Sequence, residues 1–366
     1  MWYDKFAADA FVDAYGNIDW MYPKPQAFIP SNIPLRSYDI AQGFSVAWIG
    51  LNGSYTADPV GGTISLRFGP SAAVYNLSAA NPPNAMSDNA IGMQNVRQAY
   101  ATIKPADKFT IDVGKYDQPY GSEVPDSQLN MEYTRSILFG FMQPVFFTGV
   151  RLDYAPTDTI DAKLIIANGW NATFSNNRSK SFGAQFSIKP IDSLQLYLGY
   201  VGGPQQNDFA INAMGAITNV PEANSHWRHL VDFVADFNPT KTLRLLLNAD
   251  YDSEDLPAAA GHSASWYGAN LAIHYVAADP FALTLRGEFV SDAHGDVLPK
   301  GADATGNSTT IESVTLTLST LIGSHVALMF DNRIDVADSS VFPENTNGTF
   351  TKTQFTTTLG VIASTK

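Results

Sequence analysis

The stretch Phe281-Ala282-Leu283-Thr284-Leu285-Arg286-Gly287-Glu288-Phe289 places its charged residues at every second position, between apolar ones. Successive side chains of a β-strand point to opposite faces of the sheet, so Arg286 and Glu288 share one face and the apolar residues occupy the other. A second stretch, Leu243-Arg244-Leu245-Leu246-Leu247-Asn248-Ala249-Asp250, shows a similar alternation, with Arg244 on its polar face. About sixteen such stretches of roughly ten residues follow one another along the chain, which predicts an all-β protein.

The connections between these stretches alternate between short and long. The short ones contain residues that preset turn dihedrals, as in Lys189-Pro190-Ile191-Asp192 and Ala277-Ala278-Asp279-Pro280. The long ones are polar and rich in Gly, Pro and Asn, as in residues 23–42 and 78–92. A closed up-and-down sheet has all its turns at one rim and all its loops at the other. We therefore predict a single domain over residues 1–366, a transmembrane antiparallel up-and-down β-barrel of about 16 strands with short periplasmic turns and long extracellular loops.

Each stretch is predicted to form one strand. The strands are expected to begin near Lys5, Gly43, Gly61, Met93, Lys108, Val145, Thr159, Ser179, Ser193, His226, Thr242, Ala264, Phe281, Thr309, His325 and Lys352. An apolar face is equally compatible with a soluble sandwich or propeller, but the chain has no repeat of the length of a propeller blade. The direction of the polar face, inward to a lumen or outward to bulk water, separates these folds.

Aromatic residues near the strand ends favour the membrane barrel. Amphipathic rings anchor a barrel at its two lipid–water interfaces, so two bands of them are expected. The band at the loop ends would comprise Trp20, Tyr22, Trp170, Tyr200, Tyr251 and Trp266. The band at the turn ends would comprise Tyr55, Tyr154, Phe237, Tyr275 and Phe281.

The composition limits the classes of function. The chain has 35 acidic and 22 basic residues, and binding a phosphate backbone would require a basic surface instead, so we expect no nucleic-acid partner. Cysteine is absent, as is common in proteins that cross an oxidising compartment. No stretch reaches the roughly twenty consecutive apolar residues of a membrane-spanning helix, which leaves strands as the candidates for crossing a membrane.

The polar faces of the strands predict the lining of a lumen. About sixteen strands leave a water-filled channel, whereas about eight leave an interior filled by side chains. The predicted channel-lining residues are Asp13, Arg67, Asp112, Arg151, Asp153, Asp161, Lys163, Asp232, Arg244, Asp250, Arg286, Glu288, Asp331 and Arg333. Charges of both signs orient polar solutes, and the surplus of acids should favour cations modestly. The alternative is that many of these charges pair across neighbouring strands and hold the wall.

One long loop, residues 118–143, differs from the others in composition. It combines polar and aromatic residues with an apolar tail, Ile137-Leu138-Phe139-Gly140-Phe141-Met142, which a loop exposed to solvent does not need. We predict that this loop folds inward and constricts the bore. Its constriction residues would be Tyr120, Glu123, Asp126, Glu132, Tyr133 and Arg135. An outward cap or an additional strand is the alternative.

Metal sites and catalytic groups are weakly indicated. The run Asp250-Tyr251-Asp252-Ser253-Glu254-Asp255 resembles the beginning of a calcium loop but lacks the glycine and the distal Glu of an EF-hand. His226 and His229 fall on opposite faces of a strand, so they form no metal pair. We therefore predict no metal and no cofactor. An enzyme is the remaining alternative. Its nominal candidates are His262 near Ser263 and Ser265, and His294 near Ser291 and Asp292.

Several short sequence segments resemble those of a known family. They include Phe11-Val12-Asp13-Ala14-Tyr15, Val113-Gly114-Lys115-Tyr116, Asn130-Met131-Glu132-Tyr133-Thr134-Arg135-Ser136 and Ala167-Asn168-Gly169-Trp170-Asn171. In this order and spacing, over roughly the first half, the chain resembles the OmpL-like β-barrel porin family. The resemblance implies a bacterial outer-membrane pore with no catalytic residues.

We therefore predict a porin of the bacterial outer membrane, not an enzyme, that passes small hydrophilic solutes or ions by diffusion. Its expected partners are outer-membrane lipid, the transported solutes and the outer-membrane assembly machinery. That machinery commonly reads a terminal aromatic residue, and the ending Val361-Ile362-Ala363-Ser364-Thr365-Lys366 departs from this pattern. A homo-oligomer is left open. The alternative function is a structural or adhesive barrel with a closed lumen that binds partners through its loops.

Overall fold

The computed structural model describes most of the chain. The described residues are 5–23, 42–56, 58–76, 92–211, 217–220, 222–256, 263–345 and 348–365. The predicted loops 23–42 and 78–92 lie almost entirely outside them.

Sixteen of the described strands form one closed antiparallel barrel. They are β1 (Phe6–Asp19), β2 (Gln42–Tyr55), β3 (Val60–Phe68), β4 (Val96–Ala106), β5 (Phe109–Asp117), β6 (Phe146–Thr157), β7 (Ile160–Ala167), β8 (Ser181–Ile191), β9 (Leu194–Pro204), β12 (Trp227–Phe237), β13 (Leu243–Glu254), β14 (Ala264–Ala278), β15 (Phe281–Asp292), β16 (Thr309–Ile322), β17 (Val326–Ala337) and β20 (Thr353–Ser364). Two short hairpins stand outside the barrel: β10 (Phe209–Ile211) with β11 (Ile217–Asn219), and β18 (Phe342–Glu344) with β19 (Thr349–Thr351).

The predicted sixteen-stranded up-and-down barrel is confirmed. Each barrel strand pairs with its neighbours in the chain, and β20 closes the sheet against β1, with Ser364 opposite Phe11. Every barrel strand begins within three residues of its predicted start. Because the sheet closes on itself, it leaves no open edge whose backbone groups would need other partners.

The two faces of the wall follow the alternation. On β15, Leu285 and Phe289 are exposed on the outer surface, whereas Arg286 and Glu288 are buried on the inner side. An outer surface that is apolar and an interior that is charged is the arrangement of a barrel in lipid, and a soluble sandwich would have the reverse.

The prediction of the aromatic bands is wrong for two residues, which lie inside the barrel instead of on its outer surface. Trp266 and Trp170 are 1% and 7% exposed and lie inside, where the Arg228 guanidinium carbon is 5.4 Å and 5.3 Å from their ring centroids. Trp266 pairs with Asp252 and Asp292, whose side chains are also buried inside. Its neighbour Tyr267 takes the outward position. Position near a strand end is therefore not enough, and the alternation decides the face.

The helices of the described chain are short. They are α1 (Pro70–Tyr75), α2 (Ile137–Phe141) and two 3-10 turns, Met93–Asn95 and Ser127–Leu129. Ser136 caps the N-terminus of α2, and its hydroxyl accepts a hydrogen bond from the Phe139 backbone N–H at 3.0 Å. No helix in the described residues is long and apolar enough to cross a membrane.

Candidate functional site in the barrel lumen

The loop between β5 and β6, residues 118–143, folds into the interior of the barrel and is called L3 below. Its side chains Tyr120, Glu132 and Tyr133 are 1%, 2% and 0% exposed. The helix α2 belongs to L3, and its Leu138 packs in an interior cluster with Trp266. L3 is thus a part of the interior rather than a cap over the rim.

Acidic and amide side chains of the wall accept hydrogen bonds from the backbone of L3. Asp232 on β12 accepts from the Gly121 N–H at 3.0 Å, Asp331 on β17 from the Thr134 N–H at 2.8 Å, and Glu288 on β15 from the Ile137 N–H at 2.7 Å. A charged acceptor makes a stronger hydrogen bond than a neutral one. These bonds give buried backbone groups of L3 the partners that they lack within the loop.

Arginines of the wall bind the carboxylates of L3. Arg67 on β3 donates two hydrogen bonds to Asp126, at 3.0 Å and 2.8 Å, and Arg97 on β4 also forms an ion pair with Asp126. Burial raises the pKa of Asp126, but Arg97 and Arg67 together hold it below its usual value. Asp126 is therefore ionised while L3 is docked.

A second charged group lies where L3 meets β15. Arg286 is 2.6 Å from Glu132 and 3.0 Å from Glu123 of the loop. Burial raises the pKa of Glu132 well above its usual value, the nearby carboxylates act in the same direction, and Arg286 opposes them. Acidic groups therefore repel one another at this contact and depend on Arg286 to hold them.

Tyrosines of L3 lie against glycines of the wall. Tyr133 lies over Gly360 on β20, where an added Cβ would be 2.0 Å from its ring, and Tyr120 lies over Gly199 on β9, where the distance would be 2.4 Å. The Tyr133 hydroxyl donates to Asp13 at 2.8 Å, and the Tyr120 hydroxyl donates to a backbone carbonyl at 2.9 Å. Only glycine leaves room for the rings at these positions.

Arg135 joins the two limbs of L3. Its guanidinium donates to the carbonyls of Val124 and Pro125 at 2.8 Å and 2.9 Å, and to the Ser127 hydroxyl at 3.0 Å. Its own carbonyl accepts a hydrogen bond from Arg333 on β17 at 2.7 Å. Arg135 thus fixes the shape of the loop, and Arg333 fixes that shape to the wall.

The predicted channel-lining residues all lie on the inner side of the wall, in two groups. The first group contacts L3, is nearly excluded from water, and consists of Asp13, Arg67, Asp232, Asp250, Arg286, Glu288, Asp331 and Arg333. In this group Asp250 accepts a hydrogen bond from Gln143 of L3 at 2.6 Å. These charges are positioned to hold the loop, and a direct contact with solute is not available to them while L3 is docked.

The second group forms ion pairs along the wall. Arg151 is 2.6 Å from Asp112, Lys163 is 3.1 Å from Asp153 and also contacts Asp161, and Arg244 is 2.8 Å from Asp236. A cavity of about 610 Å³ is lined by Asp153, Asp161 and Lys163 together with residues of the short turns. The side chains of this second group are partly exposed to water, unlike those under L3, with the exception of Asp112, which is 7% exposed.

Sequence reasoning missed several residues that hold L3. Arg97 and Asn248 are two of them: Asn248 accepts hydrogen bonds from the Ser122 N–H at 3.2 Å and from Gln143 at 2.9 Å. The glycines Gly199 and Gly360 are two more. A glycine at an inward position of a strand is the signal that was available, because it leaves space where the alternation predicts a side chain.

The weaker candidates have structural partners. No group of three or more His, Cys, Asp or Glu in the described residues is arranged to hold a metal ion. Asp292 accepts hydrogen bonds from the N–H groups of His294 and Leu298, at 3.2 Å and 2.9 Å, and so shapes its loop. His229 stacks on Tyr200. His262 lies outside the described residues.

Solved structures with the same fold are outer-membrane proteins. The anion-selective porin from Comamonas acidovorans has a TM-score of 0.61 at 12% identity, with 98% of this chain and 99% of that chain covered. The outer membrane channel DcaP of Acinetobacter baumannii has a TM-score of 0.60 at 11% identity, with 98% of this chain and 96% of that chain covered. The trimer form of OmpT from Vibrio cholerae has a TM-score of 0.58 at 12% identity, with 99% of this chain and 100% of that chain covered. At these identities the likeness establishes the fold alone.

Sequence comparison establishes the family. No curated protein matches the chain. A family model described as "Putative beta-barrel porin-2, OmpL-like" matches residues 5–364, which is nearly the whole sequence. The chain therefore belongs to the OmpL-like family of beta-barrel porins of the bacterial outer membrane.

Proposed function

We propose that this porin is a passive-diffusion channel for small hydrophilic solutes and ions, in which L3 narrows the bore. The observation that carries the proposal is the binding of L3 across the interior, to β3 through Arg67 and to β12 and β17 through Asp232 and Asp331. A loop held at separated points of the wall reduces the open cross-section of a sixteen-stranded barrel without filling it.

The permeation path is proposed to follow the wall of β5 to β9. The side chains of Arg151, Asp153 and Lys163 there are 17%, 26% and 21% exposed, whereas Arg286 and Arg333 under L3 are 3% and 1% exposed. Ions and polar solutes require a surface that water reaches. We therefore assign the contacts with solute to the ion pairs of this wall, and the holding of L3 to the buried charges.

We propose a modest preference for cations. Eight of the fourteen predicted lining residues are acidic and six are basic, and the acids Asp153 and Asp161 share one Lys163 at the wide cavity. An excess of one sign along a bore concentrates the opposite ion. The porin of Comamonas acidovorans is anion-selective, so this fold is compatible with either sign and local residues decide it.

Planar-bilayer recording tests the proposal. The intact protein is compared with a variant in which residues 123–135 are replaced by a short Gly-Ser linker. We expect discrete conductance steps from the intact protein and larger steps from the variant, because the constriction is removed. Equal steps would contradict narrowing by L3, and the absence of steps from intact, correctly folded protein would contradict the channel itself.

A closed barrel is the second candidate, and one observation favours it. Asp19, Asp252 and Asp335 on the inner side of the loop half of the wall are each 0% exposed, so this half is densely filled. A structural or adhesive barrel that binds partners through its loops would have such an interior. The same recording decides between the two functions, since a closed barrel gives no steps from the intact protein.

The remaining assignments concern chemistry and assembly. We propose that the protein performs no catalysis, because the lumen charges described above are bound to L3 or paired with one another. We also propose that it is a homo-oligomer inserted by the outer-membrane assembly machinery, a proposal supported by the trimer form recorded for the OmpT of Vibrio cholerae. Mass measurement of the detergent-solubilised protein tests the oligomeric state.

A further inference from the structure

A shallow groove runs across the outer wall of β13 to β17, with an acidic side chain at its edge. The groove has a volume of about 480 Å³, and the small residues Ala269 and Gly287 form its floor. A methyl group added to Gly287 would meet no atom within 4 Å, so the space above it is open. The outward side chains that border the groove are the apolar Leu247, Leu271, Phe289, Val314, Ile334 and Val336, together with Glu312.

Glu312 on β16 is an isolated carboxylate on the face of the barrel that meets lipid. Its neighbours Ile311 and Ser313 are buried on the inner side, whereas Glu312 points outward and is exposed. None of the described residues donates a hydrogen bond to its carboxylate or forms an ion pair with it. The other outward side chains that the structure describes on β13 to β17 are uncharged. An ionised group in such a position requires a partner from outside the chain.

The depth of Glu312 places its carboxylate just below the lipid headgroups. Tyr251, Tyr267, Ser291 and Thr310 are direct partners across four strands and form one outward row near the loop rim. Amphipathic rings in such a row mark the lipid–water interface of a barrel. Glu312 is two residues beyond Thr310, which at about 3.3 Å per residue and a tilt of about 40° is roughly 5 Å deeper. A headgroup at the level of the tyrosines therefore reaches the carboxylate.

The needs of the carboxylate determine the kind of partner. A carboxylate that is partly removed from water requires a counter-charge and hydrogen-bond donors, and a primary ammonium supplies the charge and N–H donors together. A divalent cation fits less well, because calcium and magnesium take about six or more oxygen ligands and Glu312 is the acidic side chain on this face. The apolar groove beside Glu312 offers a surface for the chain of an amphiphile.

We propose that the groove and Glu312 form a binding site for a membrane lipid whose headgroup carries a primary ammonium. The ammonium donates to the Glu312 carboxylate at the interface. One acyl chain lies deeper, over Gly287 and between Leu271 and Val314, where it fills the depression in the wall. The site is on the outside of the barrel, so it is independent of the channel proposed above.

A second groove on the outer wall provides a control within the same molecule. It has a volume of about 370 Å³ and lies over Ala184 on the wall of β7 to β12, beside Leu164, Phe186 and Leu198. Lys163 also borders it, but the Lys163 ammonium pairs with acids on the inner side of the wall. A lipid chain can enter this groove, but no carboxylate selects its headgroup.

Native mass spectrometry of the detergent-solubilised protein tests the headgroup. The protein is offered equal amounts of phosphatidylethanolamine and phosphatidylcholine with the same acyl chains; the choline group has no N–H donor. We expect at least about threefold more of the ethanolamine adduct, the effect of one hydrogen bond. Glu312→Gln removes the charge and should bring the two adducts to nearly equal amounts. Glu222→Gln, at an exposed acid of the loop before β12, should match the native protein.

Three results of this measurement would overturn the proposal. The first is equal amounts of both adducts from the native protein, or a preference that survives in Glu312→Gln. The second is a preference for phosphatidylglycerol that appears only with Mg²⁺, which would assign the carboxylate to a bridging cation. The third is a dimer without bound lipid that is lost in Glu312→Gln, which would identify a second copy of the chain as the occupant.

Photolabelling in lipid vesicles tests the position of the acyl chain. Phosphatidylethanolamine with a diazirine in one acyl chain is irradiated with the native protein, with Gly287→Leu and with Ala184→Leu, and the labelled peptides are identified. We expect an excess of label on β14 to β16 of the native protein. Gly287→Leu should remove this excess, because leucine fills the floor of the groove, and Ala184→Leu should retain it. Even labelling of the outer wall, or an excess that persists in Gly287→Leu, would contradict the site.

Discussion

The Asp126 carboxylate of L3 and the Arg67 guanidinium of β3 form a two-pronged ion pair, with N–O distances of 3.0 Å and 2.8 Å and side chains that are 4% and 1% exposed. Arg97 shares the same carboxylate. Arg97 has a second counter-charge in Asp117, whereas Arg67 forms its ion pair with Asp126. The burial of this pair makes Asp126 a sensitive point of the docking of L3.

Asp126→Asn is expected to loosen L3. The change breaks the buried ion pair of Arg67, which costs about 3–5 kcal/mol, while Arg97 keeps Asp117 as a counter-charge. We expect a larger mean conductance and faster proteolysis within L3. Asp303→Asn, at an exposed aspartate of an outer loop, is the control and should match the native protein. Identical proteolysis of both variants would show that Asp126 does not hold the loop.

Acidification is expected to have the same effect on the native protein. The folded pKa of Asp126 lies below its usual value of 3.8, so this group stabilises docking at every pH above 3.8 and the stabilisation is lost as the pH falls through the lower folded pKa. Conductance should therefore rise on acidification below about pH 3.8 in the native protein. Asp126→Asn should lack this component, and a rise of the same size in that variant would assign it to another group.

Gly360→Ala is expected to displace Tyr133. The added methyl would lie 2.0 Å from the ring, so L3 must shift, at a cost of about 1–3 kcal/mol. Gly287→Ala is the matched control, because its methyl meets no atom within 4 Å and alanine should suit a strand better than glycine. Unfolding by denaturant in lipid vesicles measures both. Equal stability of the two variants would contradict the seating of Tyr133 on Gly360.

Asp153→Asn combined with Asp161→Asn is expected to lower the preference for cations. The double substitution removes both acidic partners of Lys163 in the cavity of about 610 Å³ and makes the local charge there more positive by two. The reversal potential in a salt gradient should move toward the anion side. Asp331→Asn removes one charge under L3 and should alter conductance more than selectivity. A larger selectivity shift from Asp331→Asn would place the permeation path under the loop.

The alternation of side chains was sufficient to predict the barrel. Arg286 and Glu288 are inward and Phe289 is outward, as the period of the strand requires, because the bilayer and the lumen impose opposite polarity on neighbouring residues. The same rule would have placed Trp266 inward. Trp266 was assigned to the outer band because its position near a strand end was considered before the alternation.

The docking of L3 was predictable only in part. The mixture of Glu132, Tyr133 and an apolar tail indicated a loop with an interior position. Its contacts depend on which strands face one another across the bore, as with Asp126 and Arg67, which are separated by 58 other residues. The space over Gly360 likewise arises from an absent side chain. Neither the contact between such distant residues nor the space over a glycine can be read from a single sequence, because both arise only when the barrel closes.

The attachment of L3 to distant strands has a mechanical consequence. The hydrogen bonds of a closed sheet resist stretching around its circumference, but they resist flattening of the tube only weakly. L3 connects β3 with β12 and β17 through Arg67, Asp232 and Asp331, and so acts as a strut across the diameter. A barrel with this strut keeps a rounder cross-section under the lateral pressure of the surrounding lipids, and the aperture beside the strut keeps its width.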